Sequence, residues 1–148
     1  MRVVFVYPGF ERHAHSNPEL CQYVPAREYV GPPSLGIAHL AALTPPEHEV
    51  VFVDDRVSRF DPGMEGDLFA LSFFTPAATR GLDIASALRA QGKQVVVGGI
   101  FPSLMPESCA PHTDSVVVGE GEPVWQEVLD DAKARRLKPR YQAADDYD

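Results

Sequence analysis

Asp67 to Gln91 reads DLFALSFFTPAATRGLDIASALRAQ, a strand that breaks and turns directly into a helix. Leu68 to Leu71 is an unbroken apolar run, the pattern of a strand covered on both faces. Thr75 followed by Pro76 predicts an N-cap with proline at the first helical position, and Gly92 stands where a left-handed residue would end the helix. A strand that feeds straight into a helix is the repeating unit of an open parallel sheet. In such sheets ligands sit beyond the carboxyl ends of the strands, against helix N-termini. The junction from Ser72 to Thr75 is therefore the expected ligand position.

The rest of the chain repeats this unit. Val3 to Tyr7 predicts a buried first strand stopped by Pro8-Gly9. From there to Pro33 no periodicity is visible, and an insertion of that length is expected to cover the sheet edge. Ser34 to Leu43 predicts a helix that is apolar nearly all round, hence well buried, and Thr44-Pro45-Pro46 ends it. Glu49 to Val53 predicts the second strand, whereas Ser58 to Gly66 is too short and too broken by Pro62 and Gly63 for a crossover helix. Gln94 to Val97 and Ser115 to Val118 predict strands four and five, with room for only about two helical turns between Pro102 and His112. Pro123 opens a last helix, on which Val124, Trp125, Val128, Leu129 and Ala132 form one apolar stripe. Trp125 is thus expected in the core and not as a stacking platform. After Arg135 the chain is polar and patternless. The alternation predicts an α/β three-layer sandwich with a five-stranded parallel sheet in the flavodoxin-like order 2-1-3-4-5, spanning residues 1–135, with 136–148 as a linker. Its switch point lies between strands one and three, at Tyr7-Pro8 and Ser72 to Thr75.

With 148 residues, 45% hydrophobic and 23% charged, the composition is that of one globular domain, and the net charge of -8 argues against nucleic acid or an anionic membrane as a partner. No apolar run reaches the length of a membrane span or a signal-peptide core, so a cytoplasmic location is expected. Cys21 and Cys109 are too far apart in sequence for a zinc pair or a cluster motif and read as reduced thiols. His13 and His15 form a His-x-His pair whose plain reading is two solvated side chains.

Several chemistries of this sheet can be tested loop by loop. A phosphoacceptor receiver needs an aspartate at the end of strand three, where Ser72-Phe73 stands. A flavin-phosphate loop needs hydroxyls and glycine after strand one, and Pro8-Gly9-Phe10-Glu11-Arg12 does not supply that pattern. Gly119-Glu120-Gly121 follows strand five and lacks the third glycine of a dinucleotide fingerprint. No serine stands in a Gly-x-Ser-x-Gly setting.

Four loops rich in small residues and proline remain: GPPSLG, SFFTPAAT, GGIFPS and GEGEP. In that order and spacing they resemble the N-terminal cobalamin-binding domain of cobalamin-dependent radical S-adenosylmethionine enzymes, the group of hopanoid methylases and the anaerobic cyclase of bacteriochlorophyll synthesis. The resemblance implies a corrinoid-binding module of a larger methyl-transferring enzyme. Its C-terminal radical domain, with a four-iron cluster and S-adenosylmethionine, would lie outside this chain, which would itself be non-catalytic. A free-standing corrinoid carrier or sensor is the alternative, and a degenerate domain serving as an interaction surface is a third. The implied cofactor contacts come from Tyr7 and Pro8; from Pro33, Ser34, Leu35 and Gly36; from Ser72, Phe73, Phe74 and Thr75; from Gly98, Gly99, Ile100 and Phe101; and from Gly119, Glu120, Gly121 and Glu122. The family's cobalt-ligating Asp-x-His-x-x-Gly motif, aligned on Gly36, falls on Gly31 and Pro33, which implies cobalamin bound base-off and His-off. No residue of the chain is expected to ligate a metal. Gly99 is expected to lie against the nucleotide tail, so that Gly99→Leu would abolish binding and leave the melting temperature within a few degrees.

Overall fold

The computed structural model describes residues 1–10, 19, 22–23 and 34–143. His13, His15, Cys21 and Pro33 lie outside the described residues. Strands β1 (Arg2–Tyr7), β2 (Glu49–Asp54), β3 (Leu68–Ser72), β4 (Gln94–Gly98), β5 (Ser115–Val118) and β6 (Arg140–Gln142) form one parallel sheet in the order 2-1-3-4-5-6. Helices are α1 (Leu35–Leu43), α2 (Ala78–Ala90), the short α3 (Ile100–Leu104) and α4 (Pro106–Cys109), and α5 (Trp125–Lys133).

The apolar runs of the central strands are explained by cores on both faces. Val3, Phe5, Leu68, Ala70, Val96 and Val117 point to the side of α1 and α5, where they meet Ile37, Trp125, Val128 and Leu129. Val4, Val6, Phe69, Leu71, Val95, Val97 and Val116 point to the other side, against Ile84, Leu88 and Cys109. As the sequence predicts, no helix bridges β2 and β3. Phe60, 3% exposed, fills the space instead, edge-on to Phe69 with centroids 6.2 Å apart. Lys93 Nζ donates to the carbonyls of Pro62 and Met64 at 2.6 and 2.7 Å and so fixes the irregular crossover. Gly92 closes α2 at φ 73°, with its amide on Arg89 O and that of Lys93 on Leu88 O, the left-handed cap that was expected.

Three expectations need correction. The sheet has six strands, not five: β6 lies in the stretch predicted to be patternless, because Tyr141 is the one buried residue of that strand. That ring is 3% exposed, and its hydroxyl donates to Asp131 Oδ2 at 2.8 Å while accepting from the amide of Lys138. One apolar residue in a three-residue strand leaves no period to read. Helix α1 is not well buried: only Ile37 is, while Leu35 and Leu43 are 74% and 52% exposed. It lies over the β1 side of the sheet with one face, and an all-round apolar composition does not reveal that the other face is uncovered. Thr75 is not an N-cap. It opens a 3-10 turn, Thr75–Ala77, that leads into α2, and the caps of turn and helix fall on Phe74 and Ala77.

Trp125 is in the core, as expected, at 2% exposure. Its indole Nε1 donates to Thr44 Oγ1 at 2.9 Å, and that hydroxyl donates to Leu40 O at 2.7 Å, tying α5 to the end of α1. Thr44→Val keeps the shape of the side chain and deletes the acceptor, leaving the indole N–H unpaired, so urea unfolding should show a loss of about 1 to 3 kcal/mol. An unchanged midpoint would mean that this bond carries no net stability.

Candidate functional site

The carboxyl ends of β1, β3, β4 and β5 open on a cleft of about 150 Å³ between α1 and the loop after β5. Its floor and walls are Phe5, Ile37, Leu40, Ala70, Val96, Val117 and Trp125, with Trp125 tilted on Phe5 at a centroid distance of 5.4 Å. The rim is made of Gly36, Ser72, Gly98, Gly99, Gly119, Glu120, Gly121 and Glu122. A volume near 150 Å³ with apolar walls holds one flat ring system.

The glycines shape this space. A Cβ on Gly98 would meet only Val117, at 3.6 Å, and one on Gly121 would meet Leu40 at 3.4 Å; neither backbone has positive φ, so both positions would accept a side chain that narrows the cleft. Gly99 differs. At φ 95° and ψ -168° it occupies a region that is essentially glycine-only, and a Cβ there would stand 2.8 Å from Ser72 Oγ and 3.0 Å from Phe73 N and O. Ser103, which the motif reading passed over, joins the two glycine loops: its hydroxyl donates to Gly99 O at 2.7 Å and accepts from the amide of Gly119 at 3.0 Å.

The sequence-predicted residues divide. Gly36, Ser72, Gly98, Gly99 and the Gly119 to Glu122 loop converge on the cleft. Phe73 is buried beneath α2, in the space that Gly81 leaves, and Phe101 tilts against it at 6.1 Å. Phe74 packs edge-on to Phe10 at 5.0 Å. Leu35, Thr75 and Ile100 are exposed, Ser34 precedes α1, and Pro8 is buried. Tyr7 lies under the Arg56 guanidinium at 4.7 Å, and Arg56 in turn pairs with Asp54 at 2.7 Å. His39, on α1, stands 3.4 Å from Glu122 across the cleft mouth.

A second polar cluster supports the switch point and was not foreseen. The Asp55 side chain, 1% exposed, accepts from the amides of Gly9 and Phe60 at 2.8 and 2.7 Å, and from Arg80 Nε and Nη2 at 2.9 and 2.8 Å. Burial pushes its carboxyl up, but the Arg80 guanidinium and the two amides outweigh this and hold it at about 2. The signal was present in Arg80, a cation in the first turn of α2, where the helix dipole disfavours it unless a carboxylate is near.

Among the described residues no helix is long and apolar enough to cross a membrane, and no group of three or more His, Cys, Asp or Glu could hold a metal ion. Cys109 is a free, buried thiol, pushed up to about 11 by burial.

No protein-family model matches the chain. The chain is 39% identical over 113 residues to a bacteriochlorophyllide d C-8(2)-methyltransferase of Chlorobaculum tepidum, covering 76% of this chain and 25% of that protein. It is 31% identical over 112 residues to the bacteriochlorophyllide d C-12(1)-methyltransferase of the same organism, covering 74% and 25%. It is also 31% identical over 126 residues to an uncharacterised methyltransferase of Pyrococcus horikoshii, covering 73% and 26%. The chain thus spans about a quarter of the length of the curated relatives it matches. These similarities correct the reading drawn from the loop motifs. What the matched proteins have in common by name is methyl transfer; they lend no support to a cobalamin-binding module of a radical enzyme, to a corrinoid carrier, or to cobalt and an iron–sulfur cluster as cofactors.

Proposed function

We propose that this chain is the ligand-binding portion of a methyltransferase of the bacteriochlorophyllide C-methyltransferase type, and that its cleft holds a planar heteroaromatic group of the methyl donor. The observation that carries the reading is an apolar cleft of about 150 Å³ at the carboxyl edge of a parallel sheet, rimmed by glycines, Ser72, Glu120 and Glu122. S-adenosylmethionine, the general methyl donor, supplies such a group as its adenine. The residues present fit it: Phe5, Leu40 and Val117 offer apolar walls, Ser72 a hydroxyl, and Gly98 and Gly121 leave the space that side chains would fill. Donor chemistry when the group is bound is methyl transfer from a sulfonium. The contribution of this chain is to bind and orient the donor and to keep water from the slot.

The test is calorimetric titration with S-adenosylhomocysteine, the demethylated donor. Wild-type protein should bind saturably. Gly98→Ala and Gly121→Leu, which strain no backbone, should weaken binding by about tenfold or more while leaving the melting temperature close to wild type. Wild-type protein that does not bind, or variants that bind as wild type does, would overturn the reading.

A further inference from the structure

The opposite edge of the sheet carries a second cavity. A space of about 370 Å³ at the amino ends of β4 and β5 is lined by Arg89, Lys93, Arg135 and Arg136, by Asp114, and by the turn at Gly92. Four cationic residues and one carboxylate thus meet at one cavity, in a chain whose net charge is -8. Three of the four have a local explanation. Arg89 stands in the last turn of α2, where the helix dipole favours a cation, and donates to Asp114 Oδ1 at 3.1 Å and to Pro111 O at 2.9 Å. Lys93 Nζ is committed to the carbonyls of Pro62 and Met64, and Arg136 Nε pairs with Asp131 Oδ1 at 3.0 Å.

Arg135 is different. Its side chain has no hydrogen bond or ion pair among the described residues, and Lys133 already supplies the cation in the last turn of α5. It also stands at φ 53°, the one non-glycine residue with positive φ among the described residues. Its amide donates to Ala132 O and that of Arg136 to Asp131 O, which places it in the left-handed position just past α5, where glycine carries no steric cost and arginine does. Gly92 fills the same position past α2, so the two helix ends at this cavity are built alike except that one carries a guanidinium. An arginine held in a strained cap with no internal bond is accounted for by a ligand and not by the fold. The donors select its class. Arg89 Nη2 and the terminal nitrogens of Arg136 make no hydrogen bond among the described residues, and with the whole guanidinium of Arg135 they offer more donors than the two oxygens of a carboxylate accept. Planar guanidinium forks match the oxygens of a tetrahedral phosphate, and about 370 Å³ is the size of a small-molecule site and not of a lone ion. We infer that the amino edge of the sheet is a binding site for a small phosphorylated metabolite, its phosphate held by Arg89, Arg135 and Arg136. The site lies at the other end of the strands from the cleft and does not depend on the methyl-donor reading.

The probe is inorganic pyrophosphate, titrated calorimetrically into the 148-residue chain at low salt. Wild-type protein should bind it saturably, with an affinity that falls as salt rises. Arg135→Gly removes the guanidinium and puts the preferred residue in the left-handed cap, so it should weaken binding by about tenfold or more while the melting temperature stays at or above that of wild type. A purely structural arginine would not show that opposition between binding and stability. Lys133→Gln removes the same charge two residues away and outside the cavity, and should bind within about twofold of wild type. No saturable binding by wild type, wild-type affinity in Arg135→Gly, or equal losses in Arg135→Gly and Lys133→Gln would overturn the inference and leave these cations as partners of the helix ends alone.

Discussion

Gly99→Leu is expected to lower the unfolding free energy by about 4 kcal/mol or more. The conformation at φ 95° and ψ -168° alone costs a residue with a Cβ about 1 to 3 kcal/mol. The Cβ would also press on Ser72 Oγ at 2.8 Å and on Phe73 N and O at 3.0 Å. Those Phe73 atoms cannot retreat freely, because the amide bonds Gly98 O and the carbonyl accepts from the amide of Phe101, both at 3.2 Å. The corresponding fall in melting temperature is about 10 °C or more, which replaces the few degrees expected from the sequence. Loss of ligand binding in this variant would therefore say little about the slot. Gly98 and Gly121 are the positions that separate binding from folding. A melting temperature within a few degrees of wild type would show that the turn after β4 relaxes easily and does not form a rigid wall.

Asp55→Ala should cost about 3 to 5 kcal/mol, since it leaves the Arg80 guanidinium and the amides of Gly9 and Phe60 facing a hole. Gly9 belongs to the turn that ends β1, Phe60 to the irregular crossover and Arg80 to α2, so one carboxylate holds together three segments around the switch point. The pH dependence follows from the depressed carboxyl. Its value falls from 3.8 in the unfolded chain to about 2 in the folded protein, so the stabilisation is complete above about pH 4 and is lost as pH falls through about 2. The difference corresponds to about 2 kcal/mol. Urea unfolding of wild type and Asp55→Ala at pH 7 and pH 2 checks both statements, because the gap between the two proteins should narrow at the lower pH. A gap independent of pH would mean that the carboxylate is not the group that matters.

The sequence was most legible where burial on both faces forces a continuous apolar run. Val3 to Val6, Leu68 to Leu71, Val95 to Val97 and Ser115 to Val118 are strands for that reason, and their alternate residues divide between two cores. β6 escaped because Tyr141 is anchored by a hydrogen bond to Asp131, which no periodicity records. The uncovered face of α1 escaped because composition reports apolarity and not what lies opposite. At the cleft, glycines placed where strands end pointed to the right edge, but they differ in kind. Only Gly99 and Gly119 among the rim glycines have positive φ, whereas Gly98 and Gly121 serve by leaving room. Asp55 reaches Gly9 and Arg80 across 46 and 25 residues, which no local motif records, and Ser103, although it ends the quoted GGIFPS loop, shows its role only through the amide of Gly119, 16 residues on. The chemistry was misread because small-residue loops at a sheet edge report the shape of a slot and not the identity of its ligand.

The donor reading is tested most directly by amide chemical-shift mapping of the 148-residue chain titrated with S-adenosylhomocysteine. The account predicts that the largest saturable shifts fall on Ser72, Gly98, Gly99, Gly119 and Gly121, with the indole signal of Trp125 moving at the same ligand concentration. Shifts that cluster elsewhere, at the amino ends of the strands around Arg89 and Arg136 for example, or no saturable shift at all, would contradict it.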